Sequence, residues 1–306
     1  MKKCAKCGRD NLDDMLFCGY CSERFPAEKK PAFTAKKTLL TFYPLTEEVA
    51  VREAEKPKPA SDDEFEIFKT SRLVSLEKYK GHKKNVIIPH GVTVIEKRAF
   101  KDCKSVTRIA VPDSVKRINA EAFSGCTALT EINIPAEVPY ITSHLFYECR
   151  SLTEITLPDG VKIIESSAFY NCVSLTSVNI PDGVRNIGSS AFSSCRSLTS
   201  IYIPGSVTSI EHYAFERCSS LANVIIADGV ADISFNAFID CPSLKRITIP
   251  GTVNDIGNHA FGYIKETGMF GRTKYEKVKD FTVCCYPDSE GERYAVENGF
   301  RYELIK

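Results

Sequence analysis

Four cysteines near the start of the chain carry its clearest chemistry. They read Cys4-Ala5-Lys6-Cys7-Gly8 and, after the ten residues from Gly8 to Phe17, Cys18-Gly19-Tyr20-Cys21-Ser22. Two C-x-x-C knuckles converge four thiolates on one tetrahedral ion, the arrangement Zn²⁺ takes in structural sites. Gly8 and Gly19 suit the tight, amide-rich turns around such sulfurs. The competing readings, a redox dithiol or a pair of disulfides, use the same residues. The expectation is one Zn²⁺ held by Cys4, Cys7, Cys18 and Cys21. Four protein ligands leave no open coordination position, so the metal would be structural and not catalytic. This segment resembles none of the rest of the chain.

Seven further cysteines stand at a step of 23 residues: Cys103, Cys126, Cys149, Cys172, Cys195, Cys218 and Cys241. They could form a metal or redox array, but each is better read as a small apolar side chain turned into a core, where cysteine is among the most buried residue types. An odd, evenly spaced column is poor disulfide arithmetic. Cys284 and Cys285 are adjacent in an expected strand, so they point to opposite faces and do not make a joint site. Of the five histidines, His144 and His259 share a column of the same period, five steps apart. No histidine lies beside an acid or nucleophile that breaks the pattern. There is no nucleophile elbow, no glycine loop of the kind that cradles phosphate, and no isolated pair of carboxylates. The sequence therefore gives no ground for an enzyme.

What must position these side chains is a repeat. Phenylalanine falls at Phe100, Phe123, Phe146, Phe169, Phe192, Phe215, Phe238 and Phe261, always three residues before the cysteine column. Proline keeps step at Pro89, Pro112, Pro135, Pro158, Pro181, Pro204 and Pro250, with Ala227 as the exception. A fixed period in this range marks a solenoid, whose single coil cannot bury its own apolar face and relies on its neighbours. In each coil a short alternation such as Val178/Ile180 predicts a strand. The proline lacks an amide donor and stops it, Asp182-Gly183 turns the chain, and Val184 and Ile187 return to the interior along a second short extended or turn segment.

Around this body the chain divides into residues 1–25 as the metal module and 26–63 as a flexible linker. That linker carries the proline-bearing stretches Lys29-Lys30-Pro31 and Lys56-Pro57-Lys58-Pro59 and one apolar island, Leu39, Leu40, Phe42 and Tyr43. Residues 64–85 form a hairpin that caps the first coil, 86–264 the solenoid, and 265–306 a C-terminal cap. Within that cap, Gly268, Gly271 and the charged run Arg272 to Asp280 read as a loop, and Phe281 to Pro287 as a last strand. Ser289 and Glu292 form a capping box that starts a helix, Asn298-Gly299 end it, and Phe300, Tyr302 and Leu304 alternate as a final strand.

The N-terminal module is similar to the small zinc ribbons found at the start of many bacterial proteins, with their C-x-x-C-G … F-C-x-x-C pattern. The repeat resembles the BspA-like leucine-rich repeats, whose consensus is close to L-T-x-I-x-I-P-x-x-V-x-x-I-x-x-x-A-F-x-x-C-x-S. Val106 in the leucine column, Leu145 in the alanine column and Ile264 in the eighth cysteine place are its modest departures. The resemblance implies a right-handed, curved leucine-rich-repeat solenoid of eight 23-residue repeats with a parallel β-sheet on its concave face. Many such proteins are exported and act in adhesion at surfaces.

Function is then sought on the surface. Net charge is +1 over 306 residues, so no global field recruits nucleic acid or an anionic membrane. No run of 18 apolar residues exists and no apolar segment follows the basic N-terminus, which predicts a cytoplasmic protein without a membrane span. The outward strand positions vary while the core does not. One column runs Arg108, Glu131, Glu154, Ser177, Ser200, Asn223 and Arg246; its neighbour runs Ala110, Asn133, Thr156, Asn179, Tyr202, Ile225 and Thr248. Tyr202 and Ile225 make an apolar-aromatic spot of the kind that anchors interfaces. The reading is a non-enzymatic scaffold that binds a protein or peptide on the concave face through Arg108, Glu131, Glu154, Tyr202, Ile225 and Arg246, with the zinc ribbon as an accessory docking module. Two other classes remain open: a nucleic-acid-associated regulator using the ribbon and the basic first coils (Lys97, Arg98, Lys101, Lys104, Arg108, Lys116, Arg117), and a surface adhesin.

Overall fold

A computed structural model of the chain describes residues 2–3, 10–11, 64–267 and 273–306. The chain forms two units, Met1–Pro59 and Ala60–Lys306. In the first, Lys2–Lys3 pairs antiparallel with Asp10–Asn11, Lys3 opposite Asp10. The four candidate zinc ligands, the linker and its apolar island lie outside the described residues.

The second unit is a parallel β-solenoid of about ten turns with 23-residue spacing. Each coil has three sides. The first is a strand of two to four residues, such as Arg108–Ala110, Glu131–Ile132 or Ser200–Ile203, in register with its counterpart one coil on: Arg108 opposite Glu131, Tyr202 opposite Ile225. The second side is a two-residue strand, among them Arg117–Ile118, Tyr140–Ile141 and Ile163–Ile164, again paired in parallel. The third is the Ala-Phe-x-x-Cys turn.

Proline sets the corner between the first two sides. Its carbonyl accepts from the amide three residues on, as in Val115 N–H to Pro112 O at 3.0 Å and Val184 N–H to Pro181 O at 3.0 Å. Where Ala227 replaces it, the amide is present and bonds Ile203 O at 3.0 Å, so strand pairing continues directly into the corner. Another proline breaks the second sheet. Lys116, Lys162, Arg185 and Thr208 each donate their amide to the preceding coil at that column, but Pro139 has none to give. The sheet divides there into a four-stranded and a six-stranded piece, and the hydroxyl of Thr142 bridges the gap to Ile118 O at 3.1 Å.

The third side is held by a ladder of amides. Phe100, Phe123, Phe146 and Phe169 N–H donate to the carbonyls of Ala122, Leu145, Ala168 and Ala191 in the next coil at 2.7–3.1 Å. To aim these amides forward, the residues two before and two after the phenylalanine adopt the left-handed conformation in every coil from Phe100 to Phe238, and at Phe261 the residue two before does so alone. Examples are Arg98 (φ 64°), Glu121 (φ 59°), Tyr213 (φ 59°) and His259 (φ 55°) in one column, and Asp102 (φ 60°), Gly125 (φ 73°), Asn171 (φ 58°) and Arg217 (φ 57°) in the other. Such conformations cost non-glycine residues about 1 kcal/mol each, and the amide each places on the next coil offsets it. Two coils meet more closely still at Gly229 (φ 117°), where an added Cβ would collide with the carbonyl of Gly205.

Inside, the eight phenylalanine rings are at most 1 % exposed and stand in one column, with successive centroids 4.8–5.6 Å apart. The cysteines do more than fill space. The Sγ of Cys126, Cys149, Cys172, Cys195, Cys218 and Cys241 each donates to the carbonyl of the phenylalanine in the preceding coil at 3.1–3.3 Å. Burial pushes these thiols well above their ordinary range, which suppresses the thiolate that oxidation or metal binding needs.

At the N-terminal end the antiparallel hairpin Phe65–Lys69/Val74–Tyr79 joins the second sheet, and the Tyr79 ring continues the phenylalanine column 5.1 Å from Phe100. At the other end the expected loop over Gly268 to Asp280 is corrected. Tyr263–Thr267 pairs antiparallel with Thr273–Lys277 across the undescribed residues 268–272, Glu266 opposite Lys274, and the Tyr275 ring stacks on His259 at 3.9 Å. Tyr263 of this ribbon is buried and Ile264 and Tyr275 pack against the core, but charged residues and threonine make up the rest, which is why its strands do not show in the pattern. After it the solenoid resumes: Thr282–Cys285 pairs with Arg246–Thr248 in parallel, then the helix Glu290–Glu297 follows, N-capped by Ser289, and Arg301–Leu304 closes the sheet.

Candidate protein-interaction surface

The six predicted contact residues all project outward from the first sheet, but they do not have equal freedom. Arg108 and Glu131, opposite one another on adjacent strands, form an ion pair at 3.2 Å. Arg246 makes a two-pronged contact with Glu303 at 2.8 and 2.6 Å. Glu154 is exposed and has no ion pair among the described residues. Tyr202 and Ile225 are register partners, both half-buried, with Thr248 next in line. Exposed Ser200 and Asn223 flank them on the same face. The result is an apolar centre about one strand spacing wide with a polar rim, the layout of a small recognition patch.

Two members of the variable column prove structural. The Asn133 carboxamide accepts from Val111 N–H at 2.8 Å and donates to Val111 O at 2.7 Å; Asn179 does the same with Leu157 at 2.8 and 2.9 Å. Each side chain thus imitates one more peptide unit of strand where its own backbone has turned away. Asparagine at alternate coils was the signal available for this.

The basic first coils do not form a face. Lys97, Arg98 and Lys101 lie on the turn side and all reach Glu121, at 3.3, 2.8 and 2.8 Å. The Arg98 guanidinium, helped by Lys101, holds the Glu121 carboxyl down to about 2. Arg108 belongs to the first sheet and pairs with Glu131; Lys116 and Arg117 belong to the second side, where Lys116 meets Glu137 at 2.6 Å. A sequence run of cations is thereby spread over three sides of a coil, with five of the seven sharing the three carboxylates of Glu121, Glu131 and Glu137, so they do not line up as one continuous stripe of the kind that phosphate backbones follow.

A shallow cleft of about 440 Å³ lies on the turn side between Arg196, Arg217, Asp240, Pro242 and Lys265. Arg217 and Asp240 approach to 3.5 Å within it. Among the described residues no cluster of His, Cys, Asp and Glu could hold a metal, and no helix is long and apolar enough to cross a membrane.

Two overlapping matches to the family model of the BspA-type leucine-rich repeat region, over residues 78–155 and 139–267, span more than half of the chain. The chain belongs to the BspA-type leucine-rich repeat family. Among solved structures it is similar to the leucine-rich repeat protein TpLRR of T. pallidum, with 30 % identity over 62 % of this chain and 91 % of that one at a TM-score of 0.55. A leucine-rich repeat protein from Bacteroides ovatus shares the fold at 24 % identity, covering 78 % of this chain and 66 % of that one, with a TM-score of 0.53. No curated protein matches it. Leucine-rich repeat proteins of this kind are a non-enzymatic class, generally scaffolds for protein interaction or associated with surfaces.

Proposed function

We propose that this solenoid presents the outer face of its first sheet, the concave face in leucine-rich-repeat solenoids, to a protein or peptide centred on Tyr202 and Ile225. The observation that carries this is the half-buried apolar pair on adjacent strands with Ser200, Asn223 and Thr248 around it; the other apolar members of the column, Ile87 and Ala110, lie together at its N-terminal end. Glu154 toward one end and the Arg246–Glu303 pair toward the other would set polarity and register at the rim. Tyr202→Ala with Ile225→Ala should weaken capture of the partner by at least about tenfold while leaving the melting temperature of the solenoid unchanged, because neither side chain belongs to the core column. Unchanged affinity of the double variant for a partner that the unaltered chain binds would remove this face from the proposal.

The same proposal gives the N-terminal module a structural Zn²⁺ on Cys4, Cys7, Cys18 and Cys21, with an accessory docking role. What supports it is the pairing of Lys3 with Asp10, which brackets the segment holding Cys4 and Cys7 between two strands in the way a metal knuckle is bracketed. The metal would supply folding energy to a module too small for a core of its own. Purified protein should carry one zinc per chain by elemental analysis, and Cys18→Ser should release it. A chain that neither arrives with zinc nor takes it up would sink this half of the proposal.

A further inference from the structure

The last strand, Arg301–Leu304, is the outer edge of the first sheet. It pairs in parallel with Thr282–Cys285, Tyr302 opposite Val283 and Leu304 opposite Cys285. Ile305 N–H donates to Cys285 O at 2.8 Å, so Ile305 and Glu303 turn their backbone groups toward the sheet. By the alternation of a parallel ladder, Tyr302 and Leu304 turn their N–H and C=O groups away, toward a position no described strand fills. Their side chains continue the inward column of Val283 and Cys285, yet they are 42 % and 51 % exposed.

Edge strands are ordinarily blunted by lysine, proline or a bulge. The N-terminal edge of the second sheet follows that rule, with Lys69 and a break of register between Glu66 and Ile67. The C-terminal edge has no proline and no break of register; its protection is limited to its short length and the charges of Arg301 and Glu303. Its sequence is instead complementary to itself. If two copies meet antiparallel about a two-fold axis at Tyr302, then Arg301 lies opposite Glu303 of the partner subunit and Tyr302 opposite Tyr302 of the partner subunit; the pairing stops short of Phe300, whose N–H donates to Ala295 O at 2.9 Å and whose ring is buried. Centring on Tyr302 also makes this a hydrogen-bonded pair, in which both residues exchange N–H and C=O, and the outward groups of Tyr302 are the ones available. Arg301 already touches Asp280 at 3.3 Å and Glu303 touches Arg246 at 2.6 Å, so the joint would link four charges of alternating sign.

We infer that the edge strand Arg301–Leu304 is a homodimer interface, through which two copies of this chain join their first sheets antiparallel across Tyr302. Such a contact is isologous and closes at two subunits. The two solenoids then carry two copies of any surface on the first sheet, which raises the avidity for a repetitive partner.

Sedimentation equilibrium of the full chain should show a particle of twice 34.1 kDa in equilibrium with monomer at micromolar concentrations. Tyr302→Pro removes an outward amide and leaves the inner ladder intact, so it should weaken the dimer by about 30-fold or more with the melting curve unchanged. Charge reversal tests the register. Arg301→Glu alone and Glu303→Arg alone each place like charges opposite and should be monomeric, whereas their equimolar mixture restores both opposite-charge pairs and should dimerise. A wild-type chain that stays monomeric at about 100 μM, where interfaces of useful strength are populated, overturns the inference. So does an oligomer that survives Tyr302→Pro, or a mixture of the two charge variants that remains monomeric.

Discussion

Phe169→Ala should lower the unfolding free energy of the solenoid by about 3–5 kcal/mol, the upper range for deleting a buried aromatic side chain. The ring is fully buried, with Phe146 at 5.3 Å on one side and Phe192 at 5.1 Å on the other, both stacked. Three contributions are lost together: burial of the ring, two aromatic contacts of about 0.5–1.5 kcal/mol each, and the packing of the surrounding wall. The wall cannot close over the gap. Phe169 N–H is fixed to Ala191 O at 2.7 Å, its carbonyl takes the Cys195 thiol at 3.3 Å, and the coil is tied on its other two sides by strand pairing. In a quasi-one-dimensional stack the damage also falls on both neighbouring interfaces, since each coil touches only the next. Urea unfolding followed by circular dichroism measures the change. A loss below about 1 kcal/mol would mean the column relaxes into the cavity, and that the amide ladders rather than the rings carry the stability.

The phenylalanine and cysteine columns were legible because a solenoid makes like side chains meet like, and a 23-residue step therefore reports a spatial neighbour directly. The capping box at Ser289 was legible for a local reason, since its bond to Glu292 N–H is made within one turn. The second sheet was only half visible: strands of two residues, such as Ile163–Ile164, are too short to show an alternation. Of the two left-handed columns, the one after the phenylalanine carried a partial signal in Asp102, Gly125, Asn171 and Asp240, whereas the one before it carried none. Position 98 and its successors hold Arg, Glu, His, Ser, Ser, Tyr, Asn and His, because the requirement falls on the backbone amide and not on the side chain. On the surface, an outward column could be read but not what its members were already doing. Asn133 and Asn179 serve the neighbouring backbone, and Glu121 gathers three cations that sequence alone assigned to a basic patch.

Tyr294→Phe should produce the second large effect, about 2–4 kcal/mol, from the loss of one oxygen atom. In every earlier coil the phenylalanine N–H donates forward to a carbonyl, and from Phe100 to Phe215 the phenylalanine carbonyl receives a cysteine thiol from the coil that follows. At Phe261 there is no such coil. The Tyr294 hydroxyl takes both parts: it accepts from Phe261 N–H at 3.0 Å and donates to Phe261 O at 2.9 Å. The helix Glu290–Glu297 thus closes the column with a group that is donor and acceptor at once, while its ring stands edge-on to Phe261 at 6.1 Å. Phenylalanine keeps the ring and its burial but strands a buried amide and a buried carbonyl together, which costs more than either bond was worth. The loss should be local. Hydrogen exchange at Phe261 and along the terminal helix should accelerate by two orders of magnitude or more, roughly what such a penalty implies, while Phe123 and Phe146 stay protected. If Phe261 exchanges no faster in the variant, water or a rearranged backbone has taken the place of the hydroxyl, and the end of the stack is held by apolar contact alone.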